Sequence, residues 1–258
     1  MKIAIVTGAS SGIGREFVYA LDRYSIQHGG CLDSIWVIAR RSQRLEELSK
    51  DCRTPIRPFV LDLCDPSCME SIRKVLSSET PQVNFLVNAA GFGLFGAFKD
   101  NDAAKQLGIV DLNDRALTAV CSMVIPYMHK GSSIINIGSN SSWQPVPYMA
   151  VYAASKAYVL SFSRALGVEL KPHGIHVMCV CPGWIKTEFF DHAVHDDTIK
   201  YYDRFYTARQ VVDKAMKDLS RKKSVSILGF PVRMQVRLVK HLPVGMVMKT
   251  WCRQQKKC

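Results

Sequence analysis

The stretch Thr7-Gly8-Ala9-Ser10-Ser11-Gly12-Ile13-Gly14 (TGASSGIG) follows directly on the apolar run Lys2-Ile3-Ala4-Ile5-Val6. Its reading decides the fold. Glycine adopts positive φ and lets backbone approach backbone or ligand where a Cβ would collide, so three glycines among small residues imply a sharp turn. The turn opens a helix near Gly12, whose unpaired N–H groups and dipole favour a diphosphate. The hydroxyls of Thr7, Ser10 and Ser11 can add hydrogen bonds. A strand-helix turn that binds nothing would use the same residues, so this stretch alone leaves both readings open.

The strand-turn-helix pattern repeats along the chain. Candidate strands fall at 2–6, 34–39, 56–61, 83–88, 133–138, 174–180 and 224–228, with helical periodicity over Gly14 to Tyr24, Arg44 to Asp51, Ser67 to Ser77 and Ser155 to Leu170. Runs such as Ile134-Ile135-Asn136-Ile137 are apolar without alternation, as in strands of a parallel sheet covered on both faces. No repeat or Pro/Gly/Ser-rich linker divides the chain. The expected fold is α/β: one domain over 1–228, a doubly wound parallel sheet of about seven strands with helices on both faces, and a helical appendage over 229–258.

A chain of 258 residues, 48% hydrophobic, can bury a sizeable core without staples. Its nine cysteines are an odd number, which argues for a reducing compartment over a disulfide framework. Cys64-x3-Cys68 and Cys179-x-Cys181 lack the spacing and nearby histidines of a zinc site, so no metal is expected. Strand-like sequence from Lys2 leaves no room for a leader, and no run reaches the roughly eighteen apolar residues of a membrane-spanning helix, so a cytoplasmic protein is expected. The net charge of +12 is concentrated in one segment. Residues 221–258 hold ten of the 34 Lys and Arg and no Asp or Glu, which leaves residues 1–220 with 24 basic and 22 acidic groups.

Two further groups of residues bear on the glycine turn. At the end of the second candidate strand, Trp36-Val37-Ile38-Ala39-Arg40-Arg41, an acid would accept hydrogen bonds from a ribose 2′-OH, whereas an arginine pairs with a 2′-phosphate. Ala39 stands where the acid is expected, and Arg40 and Arg41 follow, which favours NADP(H) over NAD(H). The second group is Ser139, Tyr152 and Lys156. Tyr152 and Lys156 are one turn apart on one helix face, so the ammonium is positioned to bring the phenol pKa down from its usual value of about 10. Ser139 would hydrogen-bond a substrate oxygen as charge develops on it.

With TGASSGIG, Asn88-Ala89-Ala90-Gly91 (NAAG), Ser139 thirteen residues before Tyr152, Tyr152-Ala-Ala-Ser-Lys156 and Pro182-Gly183-x-x-x-Thr187, the sequence resembles the short-chain dehydrogenase/reductase family over about residues 1–228. The resemblance implies a single-domain Rossmann fold that binds NAD(P)(H) and transfers hydride between the nicotinamide and a ketone or secondary alcohol. It implies that Tyr152 is the acid/base, that Lys156 holds the nicotinamide ribose and lowers the tyrosine pKa, and that Ser139 orients the carbonyl. Asn113 would bind a water in a proton relay. For the cofactor it implies Gly8, Ser10, Ser11, Gly12, Ile13 and Gly14 at the phosphates, Asp62 at the adenine, and Asn88, Ala89 and Gly91 beside the central sheet. Pro182, Gly183, Ile185 and Thr187 would lie against the nicotinamide. It also implies a homodimer or homotetramer. Two positions depart from the family pattern: Ser11 stands where a basic residue often marks NADP use, and Gly138 stands where a second serine is usual.

The substrate is less legible. Trp143, Tyr148 and Met149 in the loop before Tyr152, and Trp184, Phe189 and Phe190 in the segment Trp184 to His195, would suit a bulky hydrophobic ketone, steroid-like or acyl-chain. The same aromatics would equally serve a lid or a partner subunit. Phe92, Phe95 and Phe98 are expected in the core. In the appendage, Arg233, Arg237 and Lys240 lie opposite Val232, Met234, Val236, Leu238, Val239 and Leu242; after Pro243, Val244, Val247, Met248, Trp251 and Cys252 oppose Lys249, Arg253 and Lys256. Such helices lie in an anionic membrane interface or cover the domain, a substrate cleft or a partner subunit, and packing on protein is favoured because globular proteins usually bury an apolar stripe. Nucleic-acid binding is not expected, since no recognition motif accompanies the charge. The main expectation is an NADPH-dependent carbonyl reductase, or the reverse alcohol dehydrogenase; the alternative is a cofactor-sensing or membrane-apposed binding protein whose working part is the tail.

Overall fold

The computed structural model describes residues 1–193, 199, 202 and 204–256. Seven parallel strands form the main sheet: β1 (Lys2–Thr7), β2 (Ser34–Ala39), β3 (Ile56–Val60), β4 (Gln82–Asn88), β5 (Met128–Ile137), β6 (His176–Val180) and, in a small separate sheet, β7 (Trp184–Lys186) and β8 (Phe205–Thr207) precede the seventh, β9 (Val225–Ser226). The order in the main sheet is β3-β2-β1-β4-β5-β6-β9. The chain winds outward from β1 through β2 to β3, then returns to place β4 on the other side of β1. That reversal opens a crevice beyond the carboxyl ends of β1 and β4, where a doubly wound sheet binds its ligand.

The helices are α1 (Gly12–Gln27), α2 (Ser42–Asp51), α3 (Pro66–Glu79), α4 (Ala103–Val110), α5 (Leu117–Val124), α6 (Ala150–Glu169), α7 (Phe189–Ala193), α8 (Ala208–Ser220), α9 (Phe230–Val239) and α10 (Val244–Gln254). Local chemistry sets several of their starts. Asp65 caps α3 by accepting from Ser67 N, with Pro66 in the first turn, and Thr207 and Gln210 form a reciprocal capping box on α8.

Successive strand residues face opposite sides of the sheet, and both sides are covered. Ile3, Ile5, Leu86 and Ile134 pack with Val120 and Val124 of α5 and Val159 of α6. Ala4, Val6, Val37 and Val87 pack on the other face with Phe17 and Leu21 of α1 and Val211 and Ala215 of α8. Each such fully buried Leu, Ile or Phe contributes about 1.5–3 kcal/mol, and the continuous apolar runs in the sequence reflect this two-sided burial. The last strand has only two residues. It is fastened where Ser226 Oγ donates to the buried Asp218 carboxylate of α8.

The turn after β1 shows why glycine is needed there. Gly8 has φ +67°, and a Cβ on it would lie 2.6 Å from Ala90 N. A Cβ on Gly14 would overlap the Gly8 carbonyl oxygen. The first turn of α1 therefore closes directly onto the turn between β1 and the helix.

Among the described residues no helix is long and apolar enough to cross a membrane, no cluster of His, Cys, Asp and Glu could hold a metal, and the cysteines are free thiols.

Candidate active site

A cavity of about 910 Å³ occupies the crevice at the strand reversal. It is lined by every cofactor-binding residue expected from the sequence except Asn88. The N-terminus of α1 faces it in a state suited to an anion. Ser11, the N-cap residue, makes no side-chain capping bond, and the first turn carries no acidic residue. The first-turn N–H groups and the helix dipole are thus available to phosphate oxygens. Asn88 lies behind the cavity, where its Nδ2 donates to Asn136 Oδ1 at 2.9 Å and ties β4 to β5. Thr7 Oγ1 accepts from Ala89 N and Ala90 N at 3.1 and 3.2 Å, which holds the ends of β1 and β4 together beneath the site.

The two arginines after β2 have different surroundings. Arg41 donates to Ser10 Oγ and Ser11 Oγ and forms an ion pair with Glu188 at 2.7 Å, while Arg44 approaches the same carboxylate at 3.5 Å. Arg41 pulls the Glu188 pKa below its usual range. The Arg40 side chain is 76% exposed, and among the described residues its ion pair is with Asp62, at 3.8 Å. Arg40 is therefore free to turn toward a phosphate, whereas Arg41 already has an internal counter-ion.

At the other end of the cavity stand Ser139, Tyr152 and Lys156. Ser139 ends the segment after β5; its hydroxyl donates to Asn140 Oδ1 and accepts from Ser141 N, so its rotamer is fixed. Its Oγ also lies within hydrogen-bonding reach of the Tyr152 phenol, and its one proton, turned there from Asn140, favours the phenolate. Burial opposes this and wins: the Tyr152 pKa is pushed up to about 12. Burial likewise pushes Lys156 down to about 8. Lys156 Nζ donates to Ile137 O at 2.8 Å and lies 5.8 Å from the Tyr152 ring centroid. The expected lowering of the phenol pKa by this ammonium is thus corrected: the ammonium is aimed at a carbonyl, and desolvation is the larger effect. The pair does share one helix face on α6, as the spacing requires.

Asn113 does not reach the cavity. It lies in a π-helical segment, Asp111–Ala116, between α4 and α5. Its Nδ2 donates to Phe92 O and Ser155 Oγ, and its Oδ1 accepts from Phe92 N. The side-chain amide is spent on holding the segment after β4 against α6; any water it serves would have to use a remaining lone pair or the main chain. Beside it, burial pushes the Asp114 pKa up to about 6, against the pull of Lys156.

The sequence leaves Gly138 unexplained, and the structure supplies a reason. A Cβ at this position would lie 2.8 Å from Cys179 Sγ and 3.2 Å from Cys181 Sγ. The two thiols, 3.6 Å apart and buried, fill the volume that a serine side chain would need.

Of the six expected substrate residues, Met149, Trp184, Phe189 and Phe190 line the cavity. Phe189 packs on the Tyr152 ring at 5.4 Å, and Trp184, Phe190 and Phe95 form edge-on contacts around it. Pocket lining and aromatic packing are served by the same rings. Trp143 is a correction. The short 3-10 turn Asn140–Trp143 carries its ring away from the cavity, to lie between Arg164 at 4.5 Å and Lys240 at 4.0 Å. Tyr148 is another: it has φ +65° and lines a separate, smaller hollow with Phe98 and Cys252. Phe95 is core, but Phe92 lines the main cavity and Phe98 is 65% exposed. The end of the Trp184 to His195 segment, residues 194 and 195, and Lys257 and Cys258 of the tail lie outside the described residues.

One site residue has no signal in the sequence, and a second is signalled only as part of the apolar face of the tail. Glu188 follows Thr187 but is 147 residues from Arg41, and no spacing signals such a pair. Trp251 of α10 donates from Nε1 to Pro147 O at 3.0 Å and stacks on Trp184, with ring centroids 6.5 Å apart. An indole in an otherwise basic segment was the available signal.

The family model described as short chain dehydrogenase matches residues 2–198. An uncharacterized oxidoreductase of Staphylococcus epidermidis is 32% identical over 188 residues, covering 72% of this chain and 79% of that protein. Among solved structures, a short-chain dehydrogenase from Sphingobium yanoikuyae in complex with NADPH superposes with a TM-score of 0.75 at 27% identity, covering 98% of this chain and 94% of the other. The bulky-bulky ketone specific alcohol dehydrogenase from Comamonas testosteroni gives a TM-score of 0.72 at 26% identity, covering 98% and 92%.

Proposed function

The chain belongs to the short-chain dehydrogenase family, and from that premise we propose that it is an NADPH-preferring reductase of bulky hydrophobic ketones. It is a nicotinamide-dependent oxidoreductase of the carbonyl/alcohol class. The observation that carries the finer reading is the convergence, in one cavity, of a free helix N-terminus, an exposed Arg40 and the Ser139/Tyr152/Lys156 cluster under an aromatic wall.

Bound cofactor supplies the hydride from its nicotinamide. The protein supplies the rest. Gly8 to Gly14 and the start of α1 take the phosphates, Arg40 takes the 2′-phosphate, and Lys156 and Thr187 flank the nicotinamide end. Ser139, turning its proton away from Asn140 Oδ1, donates to the substrate oxygen, and Tyr152 delivers its proton there as charge develops. Burial raises the phenol to about 12, so Tyr152 keeps its proton near neutrality and has it to donate when a carbonyl is reduced. Met149, Phe189, Phe190 and Trp184 offer apolar surface to a steroid-like or acyl-chain ketone. The solved relatives support this reading through the NADPH of one and the bulky ketone named for the other.

The test is a panel of bulky ketones, steroids included, with NADPH and NADH supplied separately and consumption of the reduced nicotinamide followed. Turnover of bulky ketones with NADPH favoured supports the proposal; turnover of small polar aldehydes alone, or preference for NADH, refutes it.

A pH profile follows from the two shifted groups. Lys156, lowered to about 8, is an ammonium below that pH and neutral above it, while Tyr152, raised to about 12, keeps its proton throughout. In the reductive direction kcat/KM for NADPH, which reports the free enzyme, should be level through neutrality and fall above pH about 8. A fall beginning only near pH 10 would show that Lys156 is not depressed.

A further inference from the structure

The two tail helices have three faces rather than two. Their inner face packs on the protein: Val232, Val236 and Val247 are buried, and Val232 lies within 3.3 Å of the position of a Cβ on Gly183, at the rim of the main cavity. The apolar set that the sequence placed on one side is divided, however. Phe230, Met234 and Leu238 recur every fourth residue on the outer side of α9 and are 68%, 43% and 59% exposed. Val244 and Met246, at the start of α10, are 54% and 55% exposed. Arg233 and Arg237 flank the α9 stripe, and Lys249 and Arg253 lie exposed on α10. Among the described residues none of these four cations forms a salt bridge, and residues 221–258 contain no Asp or Glu to neutralise them.

We propose that this outer face of α9 and α10 docks on an anionic membrane surface, with Phe230, Met234 and Leu238 inserted at the headgroup level and Arg233 and Arg237 paired with lipid phosphates. The charge pattern selects this occupant. A second copy meeting the face about a twofold axis would bring the same unpaired arginines against one another. A nucleic acid would leave three large apolar side chains against phosphates. A surface that is both apolar just below the headgroups and negative above them satisfies both halves of the stripe. The proposal does not depend on the reaction assigned above. If both hold, the main cavity lies close to the lipid from which a hydrophobic ketone would enter, because Val232 and Trp251 join the same helices to its rim.

The test is co-sedimentation of the full chain with vesicles of phosphatidylcholine alone and of phosphatidylcholine with phosphatidylglycerol. Binding is expected to the anionic vesicles, to weaken with added salt, and to be at least about tenfold weaker on neutral ones. Phe230→Ser/Met234→Ser/Leu238→Ser and, separately, Arg233→Gln/Arg237→Gln should each lower the binding constant about tenfold or more, with turnover in vesicle-free buffer unchanged. The arginine variant keeps the test decisive if the serine variant misfolds. The proposal fails if the unsubstituted protein stays in the supernatant, binds neutral vesicles equally, or is bound no less well after the arginine substitutions. It also fails if the serine variant, still folded, converts an oligomer to monomers by light scattering, since a second copy would then own the stripe.

Discussion

Tyr152→Phe is expected to lower kcat for ketone reduction by about a thousandfold while leaving the Kd for NADPH within about threefold of its original value. Phenylalanine preserves the ring that packs on Phe189 at 5.4 Å and removes only the hydroxyl. That hydroxyl carries the one proton in the cavity that is both placed beside Ser139 and held at neutral pH by its surroundings. Hydride transfer without it would leave an alkoxide in a desolvated site, where Ser139 alone stabilises the charge. Cofactor binding draws on other residues, chiefly the glycine turn and Arg40, so the two readouts separate a lost proton donor from a disturbed fold. Measured by single turnover and by quenching of protein fluorescence, a variant with kcat within about tenfold of the original would remove Tyr152 from the chemistry.

Arg40→Ala is expected to weaken NADPH binding about tenfold and NADH binding less than twofold. A loss of about tenfold is the low end of what a charge-assisted hydrogen bond contributes, because the Arg40 guanidinium stands in solvent. Arg41 should not compensate, since Ser10, Ser11 and Glu188 already hold it. Its engagement also means that the NADPH advantage should shrink as salt rises, since the remaining contact is exposed and screened. Equal losses for the two cofactors would place Arg40 away from the 2′-phosphate.

What the sequence made legible was local. The turn at TGASSGIG needs glycine at positions 8 and 14 for reasons confined to a few neighbouring residues, and the strands could be read because each is buried on both faces. Tyr152 and Lys156 share a face because helical spacing requires it. The features that were not legible depend on side chains arriving from distant parts of the chain. Trp143 reads as pocket lining until a four-residue turn places it between Arg164 and Lys240. Phe98 reads as core and is exposed because it lies in a short 3-10 turn, Phe98–Asp100, outside both packed layers. Proximity to an ammonium is visible in sequence and burial is not, so the sequence predicts a lowered Tyr152 pKa where burial raises it. In α9, periodicity identified an apolar helix but could not tell which of its valines, methionines and leucines would find protein to cover them.

The most direct measurement of the central claim follows an isotope. With NADPH carrying deuterium at the transferable position of the nicotinamide, a ketone accepted by the enzyme should yield an alcohol one mass unit heavier, labelled at the carbinol carbon. Product formed without the label, or no consumption of NADPH with any bulky ketone, would contradict hydride transfer across the Ser139/Tyr152/Lys156 cluster.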